Sequence, residues 1–84
     1  MVAVKLSILL FGRVSDTLGP RIEAMIPEEG CTVGELRRLI FQQVGSDALQ
    51  QKGVRASVDK LVAGDEAFVR PGAEVAFFSV FSGG

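Results

Sequence analysis

The chain has 84 residues, of which 48% are hydrophobic, and a net charge of −1. That length makes one small domain with a thin core. The near-neutral charge and scattered Lys and Arg offer no field or stripe for nucleic acid or an anionic membrane. The first predicted element is a strand. Val2, Val4, Leu6, Ile8 and Leu10 alternate with Ala3, Lys5, Ser7, Leu9 and Phe11, and period two means extended chain. The even positions are expected in the core, which sends Leu9 and Phe11 to the opposite face. Residues 12–20 hold turn formers, with a short helical turn at Val14–Leu18.

Arg21–Ile26 alternates again and ends at Pro27, which predicts a second strand antiparallel to the first. Glu28-Glu29-Gly30 reads as a turn. Thr32-Val-Gly-Glu35 is a capping box that opens a helix. The helix is expected to bury Val33, Leu36, Ile40 and Val44, with Leu39 at the margin. Arg37, Arg38, Gln42 and Gln43 are expected on the wet side, and Gly45 as the stop. Ser46–Gly53 allows one further helical turn. Val54–Val58 and Leu61–Val62 read as short strands around Asp59-Lys60, Phe68-Val69 as a short extended piece, and Glu74–Phe81 as the last strand. One main helix over one face of a mixed sheet is an α+β arrangement. Pairing the first and last strands in parallel through a helical crossover makes it a β-grasp. The domain is expected to span residues 1–84, with a flexible Gly-Gly tail.

Few residues offer chemistry. The chain has no His, the commonest general base and transition-metal ligand. It also lacks a nucleophile–base pair, a metal constellation and a P-loop; Gly30-Cys31-Thr32-Val33-Gly34 has no Gly-Lys-Ser/Thr ending and reads as a turn before a capped helix. Cys31 stands alone, which excludes an intrachain disulfide, and reads as a small structural filler. The apolar N-terminal run alternates and lacks a basic first segment and a small-residue cleavage site, so no signal peptide is expected. No stretch approaches the ~18 apolar residues of a membrane span. A cytoplasmic setting is the expectation.

What remains is the end of the chain. Gly83-Gly84 follows the run Val75–Phe81, and a terminal Gly-Gly arises by chance in only about 0.5% of chains. Two glycines put a bare carboxylate on the slimmest backbone available, able to enter an active site closed to a folded body. If Phe77 is core, alternation exposes Phe78 on the face that holds Phe11 and Leu9, joined by Leu61. A contiguous exposed apolar patch of this kind marks a partner site.

Leu10-Phe-Gly-Arg-Val-Ser-Asp-Thr-Leu-Gly19 resembles the first-strand-to-loop segment of the small subunit of molybdopterin synthase, the MoaD family. Thr32-Val-Gly-Glu-Leu36 looks like that family's helix start. Gly72-Ala-Glu-Val-Ala-Phe-Phe78 followed by Gly83-Gly84 is similar to its ending. The departures are Ser79-Val80 for a Pro-Pro pair, Phe81 for Val, and Ser15-Asp16 for Arg-Glu. The resemblance implies a ubiquitin-like sulfur carrier. Its Gly84 carboxylate is adenylated by an activating enzyme using ATP and Mg²⁺, and a sulfur donor then converts it to a thiocarboxylate. The tail Phe81, Ser82 and Gly83 enters the large subunit of molybdopterin synthase, in a heterotetramer, and gives sulfur to cyclic pyranopterin monophosphate. Phe11, Leu61 and Phe78 match the family's apolar contacts with that subunit. The same resemblance admits carriers for thiamine synthesis or transfer-RNA thiolation, and protein modifiers. The rival from another class is a non-covalent binding module with an inert tail. No stably bound cofactor, metal, nucleic acid or membrane is expected.

Overall fold

A computed structural model describes residues 2–79. The order is β1 (Ala3–Phe11), α1 (Arg13–Leu18), β2 (Arg21–Pro27), β3 (Cys31–Thr32), α2 (Val33–Val44), a 3-10 turn (Ala48–Gln50), β4 (Val54–Val58), β5 (Leu61–Ala63), β6 (Phe68–Val69) and β7 (Val75–Ser79). Five strands form one sheet in the order β2-β1-β7-β4-β5, and β3 and β6 form a separate ribbon. β1 runs antiparallel to β2 and parallel to β7, with Ile8 opposite Val75 and Phe11 opposite Phe78. β4 pairs antiparallel with both β7 and β5. This is the expected β-grasp, with the last sheet strand in the middle.

The alternation of β1 does what its period requires: Leu6, Ile8 and Leu10 are buried on one face. Ala24 and Ile26, Val54 and Ala56, and Val75 and Phe77 line the same face of their strands. Val33, Leu36 and Ile40 of α2 cover them, with Val14 and Leu49 closing the end. The capping box forms as the sequence predicts. The Glu35 N–H donates to Thr32 Oγ1 at 3.1 Å, and the Thr32 N–H donates to Glu35 Oε1 at 2.8 Å. Donation from Thr32 to the Glu35 carboxylate, by the backbone N–H first and the hydroxyl second, lowers the carboxyl pKa from its ordinary value. Gly45 ends the helix, its N–H donating to Phe41 O at 2.9 Å.

Four expectations need correction. Val2, expected in the core, precedes β1 and is exposed. Val44, in the last turn of α2, is 45% exposed. Residues Cys31–Thr32, read as turn and cap, pair with Phe68–Val69 as a ribbon. That ribbon needs Gly30 at φ +93, where a Cβ would lie 2.5 Å from the Phe68 ring and 2.6 Å from Val69 O, so no side chain fits. Finally, Arg37 is not on the wet side. Its side chain is only 15% exposed.

Arg37 reaches under the helix to three segments that the sheet does not join to α2. Nε donates to Asp65 Oδ1 at 3.0 Å, Nη2 donates to Val54 O at 3.0 Å, and Nη1 donates to Leu49 O. Its Cζ lies 5.2 Å from the centroid of the Phe77 ring. The planar fork suits this: five donors in fixed directions satisfy carbonyls that a Lys could only reach one at a time. Gln43 acts similarly at the other edge. Its amide accepts from the Met25 N–H at 2.7 Å and donates to Met25 O at 2.8 Å, which occupies backbone groups on the open side of β2.

Hydrogen bonds from a charged donor contribute about 1.5–3 kcal/mol each, and acceptors left dry cost more. Arg37→Ala is therefore expected to lower the unfolding free energy by about 2–4 kcal/mol in urea titration. Arg37→Lys should recover less than half of that loss. A loss below about 0.5 kcal/mol, the size of an ordinary surface substitution, would refute the clip.

Candidate functional site

The sheet has a second face, which none of the described helices covers. Residues opposite one another on neighbouring strands share a face. Leu9 lies opposite Arg21 on one side and Ala76 on the other. Ala76 faces Ser57, and Ser57 faces Val62. One step along, Phe11 lies opposite Phe78, which lies opposite Arg55. The result is two adjacent rows, Arg21-Leu9-Ala76-Ser57-Val62 and Phe11-Phe78-Arg55. They sit at the end of the sheet where β7 stops at Ser79.

Phe11 is 54% exposed and Val62 is 69% exposed, while Leu9 and Phe78 are half-buried. The patch anticipated from alternation is thus formed by Leu9, Phe11 and Phe78, as expected, with Val62 in place of Leu61. Leu61 is 74% exposed but lies opposite Val58, which packs against the core, so it points to the helix side of the sheet edge. The cause is the hairpin between β4 and β5. Asp59 and Lys60 both have positive φ, 52° and 73°, the geometry of a two-residue turn that makes its flanking residues a pair. Val58 facing the core therefore sends Leu61 the same way. Carrying the strand phase through the Asp59-Lys60 turn, which the sequence reading places there, gives Val62 rather than Leu61 on this face. Asp59 tolerates the conformation because it is tied down: its N–H donates to Glu74 O at 2.7 Å, and its Oδ1 accepts from the Glu74 N–H at 3.0 Å.

Gly12 sits where β1 passes the last described residue. Its φ is +73, and a Cβ there would lie 3.4 Å from Ser79 Cβ. A side chain at position 12 would be strained by that backbone conformation and would touch the strand end. A groove lined by Arg13, Thr17, Ser46, Lys52 and Ser79 opens beside this point. The expected tail residues Phe81, Ser82, Gly83 and Gly84 lie outside the described residues.

Other candidates fall away on geometry. Cys31 is 3% exposed, and burial pushes its thiol pKa up, with the Glu35 charge adding to the effect. It is a filler, as the sequence indicates. Among the described residues no group of His, Cys, Asp and Glu could hold a metal ion. No described helix is long and apolar enough to cross a membrane.

Comparison with known proteins follows the same lines. The model of the ThiS family matches residues 8–84. No curated protein sequence matches the chain. Among solved structures, SAMP1 from Haloferax volcanii superposes with a TM-score of 0.76 at 17% identity, covering 96% of this chain and 100% of that one. A second structure of H. volcanii small archaeal modifier protein 1 gives 0.74 at 15% identity, over 93% and 99% of the two chains. The H. volcanii HVO 2177 protein gives 0.72 at 18% identity, over 98% and 88%. At these identities the likeness to solved structures is one of fold.

The buried, raised thiol makes a direct prediction. In the folded protein at pH 7.5, Cys31 should react with a disulfide reagent at least about 100-fold more slowly than in denaturant, since it must wait for opening of the core. Stoichiometric labelling at the unfolded rate would contradict the assignment.

Proposed function

The chain belongs to the ThiS family of ubiquitin-like sulfur carriers and modifiers, and from that premise we propose that it carries sulfur on Gly84 as the small subunit of molybdopterin synthase. The observation that supports this most is the extent of the family match. It runs through residue 84, so it takes in Gly83-Gly84 as well as the folded body. The Val75–Phe78 segment and the tail are also where the sequence resembles the MoaD pattern most specifically.

The chemistry follows from what a carboxylate lacks. It is a poor electrophile and a poor nucleophile. In the proposed cycle an activating enzyme, with ATP and Mg²⁺, joins the Gly84 carboxylate to AMP and releases pyrophosphate. A sulfur donor then displaces AMP and leaves a thiocarboxylate, a soft nucleophile. The tail enters the large subunit and delivers sulfur to cyclic pyranopterin monophosphate. One dithiolene takes two loaded carriers. The absence of side chains at Gly83 and Gly84 keeps the reacting carbon accessible. This chain supplies no base and no metal, because the enzymes that receive its tail provide them. Its own contributions are the reactive end and the face of Leu9, Phe11 and Phe78, which docks the partner beside the strand that leads to the tail. Leu61, at the sheet margin, can touch that partner only from the edge. The cycle belongs in a reducing compartment, the cytoplasm.

A second reading is a protein modifier, joined through Gly84 to amines of other proteins. It is favoured by the fold shared with H. volcanii small archaeal modifier protein 1, which is itself named as a modifier. Carriers for thiamine synthesis or transfer-RNA thiolation would use the same loading chemistry and differ only in the acceptor.

Loading is measurable as mass. With a cognate activating enzyme, ATP, Mg²⁺ and a sulfur source, the protein should gain about 16 Da by exchange of O for S, and a Gly84 deletion should not. Supplied with the large subunit, the loaded form should convert cyclic pyranopterin monophosphate to a dithiolene. No mass change with an enzyme shown to be active would overturn the carrier reading. Loading without transfer to that subunit, together with glycyl–lysine conjugates in cells, would favour the modifier.

A further inference from the structure

The uncovered sheet face is polarised along its strands. At one end, Glu23 lies opposite Ser7 on β1, and Glu74, just before β7, continues that row. Asp59 lies beside Glu74 at the hairpin tip. At the other end are the two apolar rows, and each contains one arginine. Arg21 ends the Leu9 row on β2, and Arg55 ends the Phe11-Phe78 row on β4. Both are exposed. Two cations at the acidic end have partners. Lys5 Nζ lies 3.7 Å from Glu23, and Arg70 lies 3.6 Å from Asp59. Arg21 and Arg55 make no ion pair among the described residues.

We propose that Arg21 and Arg55 are specificity determinants that read two carboxylates on the activating enzyme, set on either side of the apolar surface that covers Phe11 and Phe78. The proposal rests on the carrier reading above and adds the chemistry of the partner. From sheet geometry, three strand spacings and a two-residue step separate the two Cα atoms by about 16 Å. Side chains on one face stand roughly perpendicular to the sheet, and Phe11 and Phe78 lie between the two arginines, so each guanidinium meets its own carboxylate. The partner must carry two acidic groups, one at each flank. A guanidinium and a carboxylate meet through two parallel hydrogen bonds, which fixes orientation as well as charge. The acidic row of Glu23 and Glu74 lies about 7 Å from the nearer apolar row. It repels a continuous polyanion such as nucleic acid, while two discrete carboxylates at the arginine end escape it. Rim charges of this kind act on encounter and selection more than on final affinity. They would orient the carrier so that β7 points its end toward the enzyme's active site.

The test is the salt dependence of adenylation, read by ATP–pyrophosphate exchange with the activating enzyme that loads the wild-type chain. Between about 50 and 500 mM salt, where screening removes long-range attraction, the KM for the wild-type carrier should rise steeply with kcat unchanged. Arg21→Gln and Arg55→Gln should each raise KM about three- to fivefold at low salt and flatten its salt slope. Arg→Lys at either site should restore the slope while recovering KM only in part, because the charge returns without the fork. Arg38→Gln, an equal charge change on the helix side, should leave both unchanged. Wild-type slope and KM in both Gln variants, with +16 Da loading intact, would overturn this proposal and leave the carrier reading standing. An equal effect from Arg38→Gln would also overturn it, reducing the effect to net charge. No adenylation of the wild-type chain would remove the carrier reading and this inference together.

Discussion

The parallel pairing of β1 with β7 is the constraint on which the rest of the structure depends. It places the last strand at the centre of the sheet, between β1 and β4. A parallel pair cannot be closed by a hairpin and needs a crossover connection. Here that crossover includes α2, and the helix brings the apolar stripe that covers the core face. The same pairing aligns Ile8 with Val75 and Leu10 with Phe77 below the sheet, and Leu9 with Ala76 and Phe11 with Phe78 above it. One register therefore sets both the core and the candidate docking face. A slip by one residue would exchange the two sets and lose both.

A crossover fixes the helix over the sheet but does not hold the long return from α2 to β4. Arg37 does. Its guanidinium joins the helix to Leu49, Val54 and Asp65 while lying over the fully buried Phe77. This couples the start of β4 to the central strand. Phe77 itself carries much of the core, since truncating a buried Phe costs about 3–5 kcal/mol. Its neighbour Phe78 points the other way and is half-buried on the open face. The residue that anchors the strand and the one offered to a partner are adjacent in sequence, so the docking surface inherits the rigidity of the core.

Much of this is legible in the amino-acid sequence. The alternation of Val2–Phe11, the Thr32–Glu35 capping box and the Gly45 stop each carry a local signal, and each element forms where the signal lies. Of the β3–β6 ribbon only Phe68-Val69 is legible, as a short extended piece; β3 and the pairing are not, because two-residue strands show no period and the pairing joins residues far apart in sequence. Arg37 escapes for a related reason. A polar residue at a helix margin reads as solvated unless the acceptors within its reach are known, and those, two carbonyls and a carboxylate, belong to three separate segments. Val44 continues the apolar stripe in sequence, but no partner in the core covers it. On the candidate site, Phe11, Phe78 and Leu9 follow from strand phase alone. Leu61 fails because its place came from the family resemblance, whereas the turn at Asp59-Lys60 pairs it with Val58 and leaves Val62 on the open face.

The central claim is that β1 and β7 present a docking surface on the helix-free side of the sheet, next to the strand that leads toward Gly84. Amide NMR of the labelled protein, titrated with the activating enzyme that loads it, examines that claim most directly. The strongest perturbations are expected at Leu9, Phe11, Arg55, Val62, Ala76 and Phe78, with Arg38 and Gln42 of α2 unchanged. Perturbations centred on α2, with the sheet face silent, would contradict it.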